Sequence, residues 1–323
     1  MRYIRSSSTL AAVAALILIA LPAAAQNYPL RPVRLIVPVP PGGGQDIMAR
    51  AIAQRLSDSW GQSVVVDNRS GASAIVGTEM LARAAPDGYT LILISSTHVI
   101  APSLNKVPYD PIRDFAPITQ VSSQPYVMAI NASVPAKSVK EFVDVAKAKP
   151  GQLNYGSAGN GSAVHLAGEM FKMMTGTNLT HIPYKGGGPA LLALLSGETA
   201  LLFASLPSTM PQVKAGKVRA LAISSAARST VAPALPTVAE SGLPGFAVIN
   251  FYGVMAPKGT PKALTTRVYS DINKILNMPD LKERLANDGT DAVGSTPEAF
   301  TAYLKAEVTK WAKLIKTANV RGE

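Results

Sequence analysis

Cysteine is absent from all 323 residues. That excludes disulfides, a thiolate nucleophile, thiolate-bound metal and a lipid attached to an N-terminal cysteine. Histidine is scarce: His98, His165 and His181 are the three present, and their spacing fits no metal-ligand pattern. Beyond the first 25 residues there is no apolar run of membrane-spanning length. Acidic residues are outnumbered, with 31 Lys and Arg against 20 Asp and Glu and a formal net charge of +11. These basic residues are scattered and form no long run, which argues against nucleic acid. Such a balance suits anionic ligands without identifying one.

The N-terminus reads as an export address. Arg2 and Arg5 make a basic start, Leu10–Leu21 an apolar stretch closed by Pro22, and Ala23-Ala24-Ala25 a small-residue cleavage site. The expectation is a signal peptide over 1–25 and a mature chain starting at Gln26, placed in the periplasm. An exported chain without disulfides must rest on a large core, and this length allows one, divided into two domains.

Apolar strand-like runs alternate with helical patterns. Strands are expected at Val33–Val37, Val64–Asp67, Thr90–Ser95, Tyr126–Ile130, Leu153–Gly156, Thr180–Tyr184, Ala200–Ala204, Arg219–Ser224 and Val248–Met255. Helices are expected at Asp46–Trp60, Ile75–Ala84, Val139–Ala148, Ala163–Thr175, Pro189–Ser196, Pro261–Asn277 and Pro297–Thr317. Ser138 with Glu141 forms a capping box, and Pro297 after Thr296 a favourable helix start. The alternation predicts α/β layers. Seams fall near Gln120–Gln124 and Gly245–Asn250, giving one lobe from 26–124 and 249–323 and another from 125–248.

The most informative stretch is Val33-Arg34-Leu35-Ile36-Val37-Pro38-Val39-Pro40-Pro41-Gly42-Gly43-Gly44-Gln45-Asp46. It reads as a strand, a glycine turn and a helix, whose first N–H groups are free to hold an anion. It is no nucleotide loop: Ile47 stands where a third fingerprint glycine belongs, and no Lys-Ser or Lys-Thr pair follows. The plainer alternative is a turn that uses glycine for geometry alone. Asn154-Tyr155-Gly156-Ser157-Ala158-Gly159-Asn160-Gly161-Ser162 repeats the arrangement ahead of a second helix. Ser162 can cap that helix or touch ligand, and His165 braces the loop. His181-Ile182-Pro183-Tyr184-Lys185-Gly186-Gly187-Gly188-Pro189 is a third such turn, its Lys185 read as solvated. Ser157 lies in Tyr155-Gly156-Ser157-Ala158-Gly159, which misses the nucleophile-elbow pattern. An exported serine esterase or amidase using Ser157 or Ser162 with a histidine is the contrasting class, and His165 and His98 are able to meet Ser157 in space. No motif asks for a cofactor or a metal.

Taken in order, Pro38–Asp46, Pro86-Asp87-Gly88-Tyr89-Thr90, Asn154–Gly159, Pro183–Gly188, Leu235-Pro236-Thr237-Val238-Ala239-Glu240-Ser241-Gly242 and Ala256-Pro257-Lys258-Gly259-Thr260-Pro261 resemble the tripartite tricarboxylate transporter receptor family. This group is also called the Bug family of periplasmic solute-binding proteins. The resemblance implies a two-lobed, type II periplasmic-binding-protein-like "Venus flytrap" with mixed sheets flanked by helices. It implies a monomer that closes on a di-, tri- or aromatic carboxylate and delivers it to the transporter's membrane subunits. A binding protein serving a membrane sensor would have the same fold.

Pro41, Gly42, Gly43, Gly44, Gln45, Gly156, Ser157 and Gly159 are the expected carboxylate cradle, assisted by Ser162 and His165. Ser73, Ser96, Thr97, Ala204 and Ser205 are expected to set selectivity, Phe251 or Tyr252 to pack on the ligand body, and Asp46 to cap its helix. Against the family pattern, Val39 stands where Phe is common and Gln45 where Thr is common. The loop at Ala74 usually carries another glycine, and an Asp is frequent at about Ala204. Without that Asp, a plain carboxylate is favoured over an amino acid.

Overall fold

The computed structural model describes residues 28–42, 44–71 and 73–321. The expected signal peptide and its cleavage point, and Gly43, lie outside the described residues. The first strand, β1 (Val33–Val37), is almost wholly buried, as its uninterrupted apolar run requires of a strand covered on both faces. It feeds α1 (Gly44–Trp60), which turns Met48, Ile52 and Leu56 onto the sheet. β2 (Val64–Asn68), α2 (Ile75–Ala82), β3 (Thr90–Ser95) and α3 (Thr97–Leu104) follow. β2 and β3 flank β1 in parallel, so the turns after β1, β2 and β3 emerge at one end of the sheet.

β4 (Phe115–Asn131) joins the two halves. Up to Pro125 it runs antiparallel to β9 (Ile249–Pro257), which itself pairs with β3. From Tyr126 onward it pairs instead with β7 (Leu201–Ser205) and β8 (Val218–Ile223). Between these come α4 (Val139–Ala148), β5 (Asn154–Ser157), α5 (Ala163–Thr175), β6 (Thr180–Pro183), α6 (Gly187–Ser196) and α7 (Leu206–Lys214). β5 is parallel to both β6 and β7. After β9 come α8 (Lys262–Leu276), α9 (Pro279–Asn287), the short β10 (Asp291–Ala292) and α10 (Pro297–Thr317). The strand order β2-β1-β3-β9-β4-β7-β5-β6 is a mixed sheet flanked by helices that divides into two lobes at β4. Where the chain crosses, buried Ser224 accepts from Tyr126 N at 2.8 Å and donates to Val248 O.

Two close approaches bridge the lobes. A Cβ built on Gly161, before α5, would stand 2.5 Å from Leu104 Cδ1 of α3. One built on Gly289, after α9, would stand 2.9 Å from Pro207 Cδ and 3.0 Å from Leu206 Cβ of α7. No described helix is long and apolar enough to cross a membrane.

Candidate functional site

The loop after β1 is shaped by Asp46. Its carboxylate accepts from Gly42 N at 2.9 Å, Asn68 Nδ2 at 2.9 Å and Arg50 Nε at 3.0 Å. Burial alone would raise its pKa, but the bonds from Arg50, Gly42 and Asn68 outweigh that and hold it at about 2. Asp46 is therefore a buried anion that fixes the turn, and the N–H of Gly42 is already spent on it. Buried Gln45 points away from the turn, donating to Leu93 O at 2.7 Å. Pro41 is exposed in the turn, and Gly44 opens α1 beneath the Tyr252 hydroxyl, 3.0 Å from where its Cβ would stand.

The loop after β5 is braced in a similar way. Ser162 caps α5, accepting from His165 N at 3.2 Å and donating to Gly159 O at 2.7 Å. His165 Nδ1 accepts from Gly161 N at 3.0 Å. Gly159 N donates to Ser157 Oγ at 3.1 Å. Of the expected cradle, Gly42, Gly159 and Ser157 hydrogen-bond within their own loops, and buried Gly156 lies within β5. In α5 the first-turn N–H groups of Ala163 and Val164 are left without an intrahelical partner by helix geometry.

A cavity of about 320 Å3 lies between the lobes, lined by Val39, Ser73, Ala74, Thr97, Asn160 and Ser162 among others. Ser73 and Ala74 take left-handed conformations, with φ of 54° and 71°. A second compartment, also of about 320 Å3, shares Ser162 and Ala163 with the first and extends along Tyr126, Ala204, Ser205 and Gly188. Neither compartment is lined by Lys, Arg, His, Asp or Glu. The N-terminal ends of α2 and α5 meet on the first, which α3 lines along its length from Thr97 to its C-cap Asn105, and those of α5, α6 and α7 meet on the second. Their dipoles make an uncharged cleft favourable to an anion.

Ser73, Thr97, Ser162, Ala204 and Ser205 thus line the cleft. Ser96 does not: it is buried and donates to Asn250 Oδ1 at 2.9 Å, while Asn250 Nδ2 donates to Gln124 Oε1 at 2.6 Å across the two crossing strands. Phe251 is fully buried against Phe300 and Tyr303. Tyr126, Gly187, Gly188 and Ser208 are lining residues that the sequence reading passed over. Gly187 and Gly188 belong to the third glycine turn, whereas no motif marks Tyr126 or Ser208.

The histidine that meets Ser157 is His181, with Nε2 2.6 Å from Oγ, rather than His98 or His165. His181 stacks on His165 at 3.9 Å between centroids and on Tyr155 at 4.9 Å. Burial lowers the pKa of both histidines, that of His181 to about 4, with His165 adding to the effect. His98 is buried elsewhere against Tyr109 and Phe115. Ser157 has no exposed surface, and among the described residues no carboxylate is bonded to His181.

A family model described as the tripartite tricarboxylate transporter family receptor matches residues 48–320. The chain is 39% identical over 306 residues to Protein BugT of Bordetella pertussis, covering 94% of each. It is 36% identical to R. palustris Rpa4515, solved with adipate, with a TM-score of 0.76, covering 92% of this chain and 100% of that one. The periplasmic binding protein BugD is 37% identical with a TM-score of 0.72, covering 92% of this chain and 100% of that one.

Proposed function

The chain belongs to the tripartite tricarboxylate transporter receptor family, and from that premise we propose that it captures a small carboxylate between its lobes. It then hands the closed complex to the transporter's membrane subunits. The observation that carries this reading is the cleft itself, a charge-free space on which several helix N-termini converge. Such a site holds a carboxylate through backbone N–H groups and needs no basic side chain. The adipate in Rpa4515 supports the same ligand class. In this reading residues 1–25 are removed on export, and the monomer works in the periplasm. The lobes divide as 26–124 with 249–323 and 125–248, which the change of β4 partners at Tyr126 supports.

The same reading makes the protein a binder and not a hydrolase. A catalytic serine must reach its substrate, and its base is oriented by a third group. Ser157 meets a histidine but has no exposed surface.

A thermal-shift screen of Gln26–Glu323, refolded to strip bound ligand, tests the proposal. Ligand at one hundred times its Kd stabilises by about 2.7 kcal/mol, which raises Tm by several degrees. A shift with carboxylates and none with neutral analogues is expected. No shift with any carboxylate would remove the reading.

A further inference from the structure

The segment after α9 touches the crossing or the far lobe at each of its successive residues. Gly289 lies against Leu206 and Pro207 at the start of α7. Thr290 Oγ1 accepts from Gln124 Nε2, on the crossing strand β4, at 2.9 Å. Asp291 accepts from Ser229 Oγ and from Thr230 Oγ1, each at 2.5 Å, with one hydroxyl on each carboxylate oxygen. Asp291 is fixed to its own lobe, because β10 pairs with β4 at Ser123 and Ser122 and Val293 N donates to Val121 O at 3.0 Å. Ser229 and Thr230 belong to the other lobe, in the loop that leaves β8 at Ile223 and returns where Val238 N donates to Ile223 O at 2.8 Å. A carboxylate of one lobe thus grips two neighbouring hydroxyls of the other, through bonds roughly twice as strong as neutral ones.

This grip lies apart from the ligand cleft. Gln124 is in register with Asn250, and Ser123 with Phe251, so the two pairs take opposite faces of the crossing strands. Tyr126, on the Gln124 face, lines the cleft. Phe251, on the other, packs under α10. A separate cavity of about 290 Å3 opens on that rear face, lined by Ser123, Ser229 and Asp291 among others. On the cleft side the lobes also meet, at Gly161 and Leu104. The grip is therefore made at the angle that closes the cleft. Opening turns the lobes about β4 and β9, and a displacement of about 1 Å takes such an O–H···O contact out of range. Thr230 is exposed, so water competes for its bond and the grip is reversible.

Resting on the carboxylate reading above for what closure serves, we propose that Asp291 is an interlobe latch. Through Ser229 and Thr230 it holds the empty lobes at the closed angle, and so positions the helix ends that receive the ligand. Apparent affinity then falls in proportion to the closed fraction when the latch is removed.

A distance measurement between the lobes tests this. The chain has no cysteine, so Ser70→Cys and Lys185→Cys, in an exposed loop of each lobe, place two spin labels and no others. Pulsed electron resonance on the ligand-free mature chain reads the distance between them. Asp291→Ala is expected to broaden the distribution toward longer distances. Ser229→Ala combined with Thr230→Val is expected to do the same from the other lobe, and combining all of them to add nothing further. The hydroxyl variant keeps the test intact if Asp291→Ala does not fold. Adipate affinity by calorimetry is expected to fall about tenfold in each variant. Unchanged distances overturn the proposal, and so does unchanged adipate affinity once the distances have shifted. The distances need no ligand, so a chain that binds no acid in the thermal-shift screen loses the carboxylate reading while the latch is still decided.

Discussion

Asp46 shows how a single residue redirects a motif. From sequence, a glycine turn before a helix offers its N–H groups to a ligand; here the first of them, on Gly42, goes to Asp46. Ala74 is the converse case. The resemblance places a glycine close to this position, and the structure supplies the reason, since Ala74 caps α2 in the left-handed region with φ of 71°. A Cβ in that region costs about 1–2 kcal/mol, partly offset by the lower chain entropy of alanine when unfolded. Ala74→Gly is therefore expected to stabilise the protein by about 0.5–1 kcal/mol in urea unfolding. A destabilised variant would mean that the left-handed turn is held by contacts of the Ala74 methyl. Strain of this kind beside a cleft cannot be read from composition, because alanine carries no turn signal.

At the scale of elements, the strong periodic segments were legible. The expected Val139–Ala148, Ala163–Thr175 and Pro297–Thr317 are the observed α4, α5 and α10, and Ser138, Ser162 and Thr296 all act as side-chain caps. Prolines hid others: α3 contains Pro102 and α7 contains Pro207 and Pro211. The first half of β4 was also missed, because Thr119, Gln120, Ser122, Ser123 and Gln124 satisfy hydrogen bonds and strand pairing rather than an apolar face. Two of these pieces take part in the close approaches between the lobes, α3 against Gly161 and α7 against Gly289. Gly289 touches the start of α7 with φ of 62°, and the Pro207 ring has little freedom to yield. Gly289→Ala is expected to weaken carboxylate binding about tenfold by wedging the lobes apart. Gly216→Ala is the control, with a similar φ of 70° and nothing within 4 Å of its Cβ position. It imposes comparable backbone strain with no wedge. Equal affinity loss in the two variants would show that strain, and not lobe contact, is responsible.

For the whole molecule, stability should be set in acid by its histidines. Burial lowers the pKa of His98 from 6.5 to about 4, opposed in part by the bond of its Nε2 to Pro111 O at 2.8 Å. His181 is likewise held at about 4 by burial and then by stacked His165. In both, the folded state disfavours the proton, so the unfolded chain binds more protons between pH 6.5 and 4. Stability is then fully present above pH 6.5 and is lost as the pH falls toward about 4. For fully buried His98 the loss is on the order of 3 kcal/mol; for His181, which is only half buried, solvent screening makes it smaller. Asp46 works in a lower window, with stability present above pH 3.8 and lost as the pH falls through about 2, so it does not mask the histidines. Urea unfolding from pH 7.5 to 4 is expected to show this decline, with a shallower slope in His181→Asn, whose amide can still meet Ser157. The same protonation reaches the cleft: His165 Nδ1 must stay bare to accept from Gly161 N, so acid unties the loop that presents α5. Carboxylate affinity should therefore fall over the acid range even where the ligand remains ionised. Flat stability between pH 6.5 and 4 would mean that these histidines are solvated in the native state, and the stacked pair could not be what braces the loop.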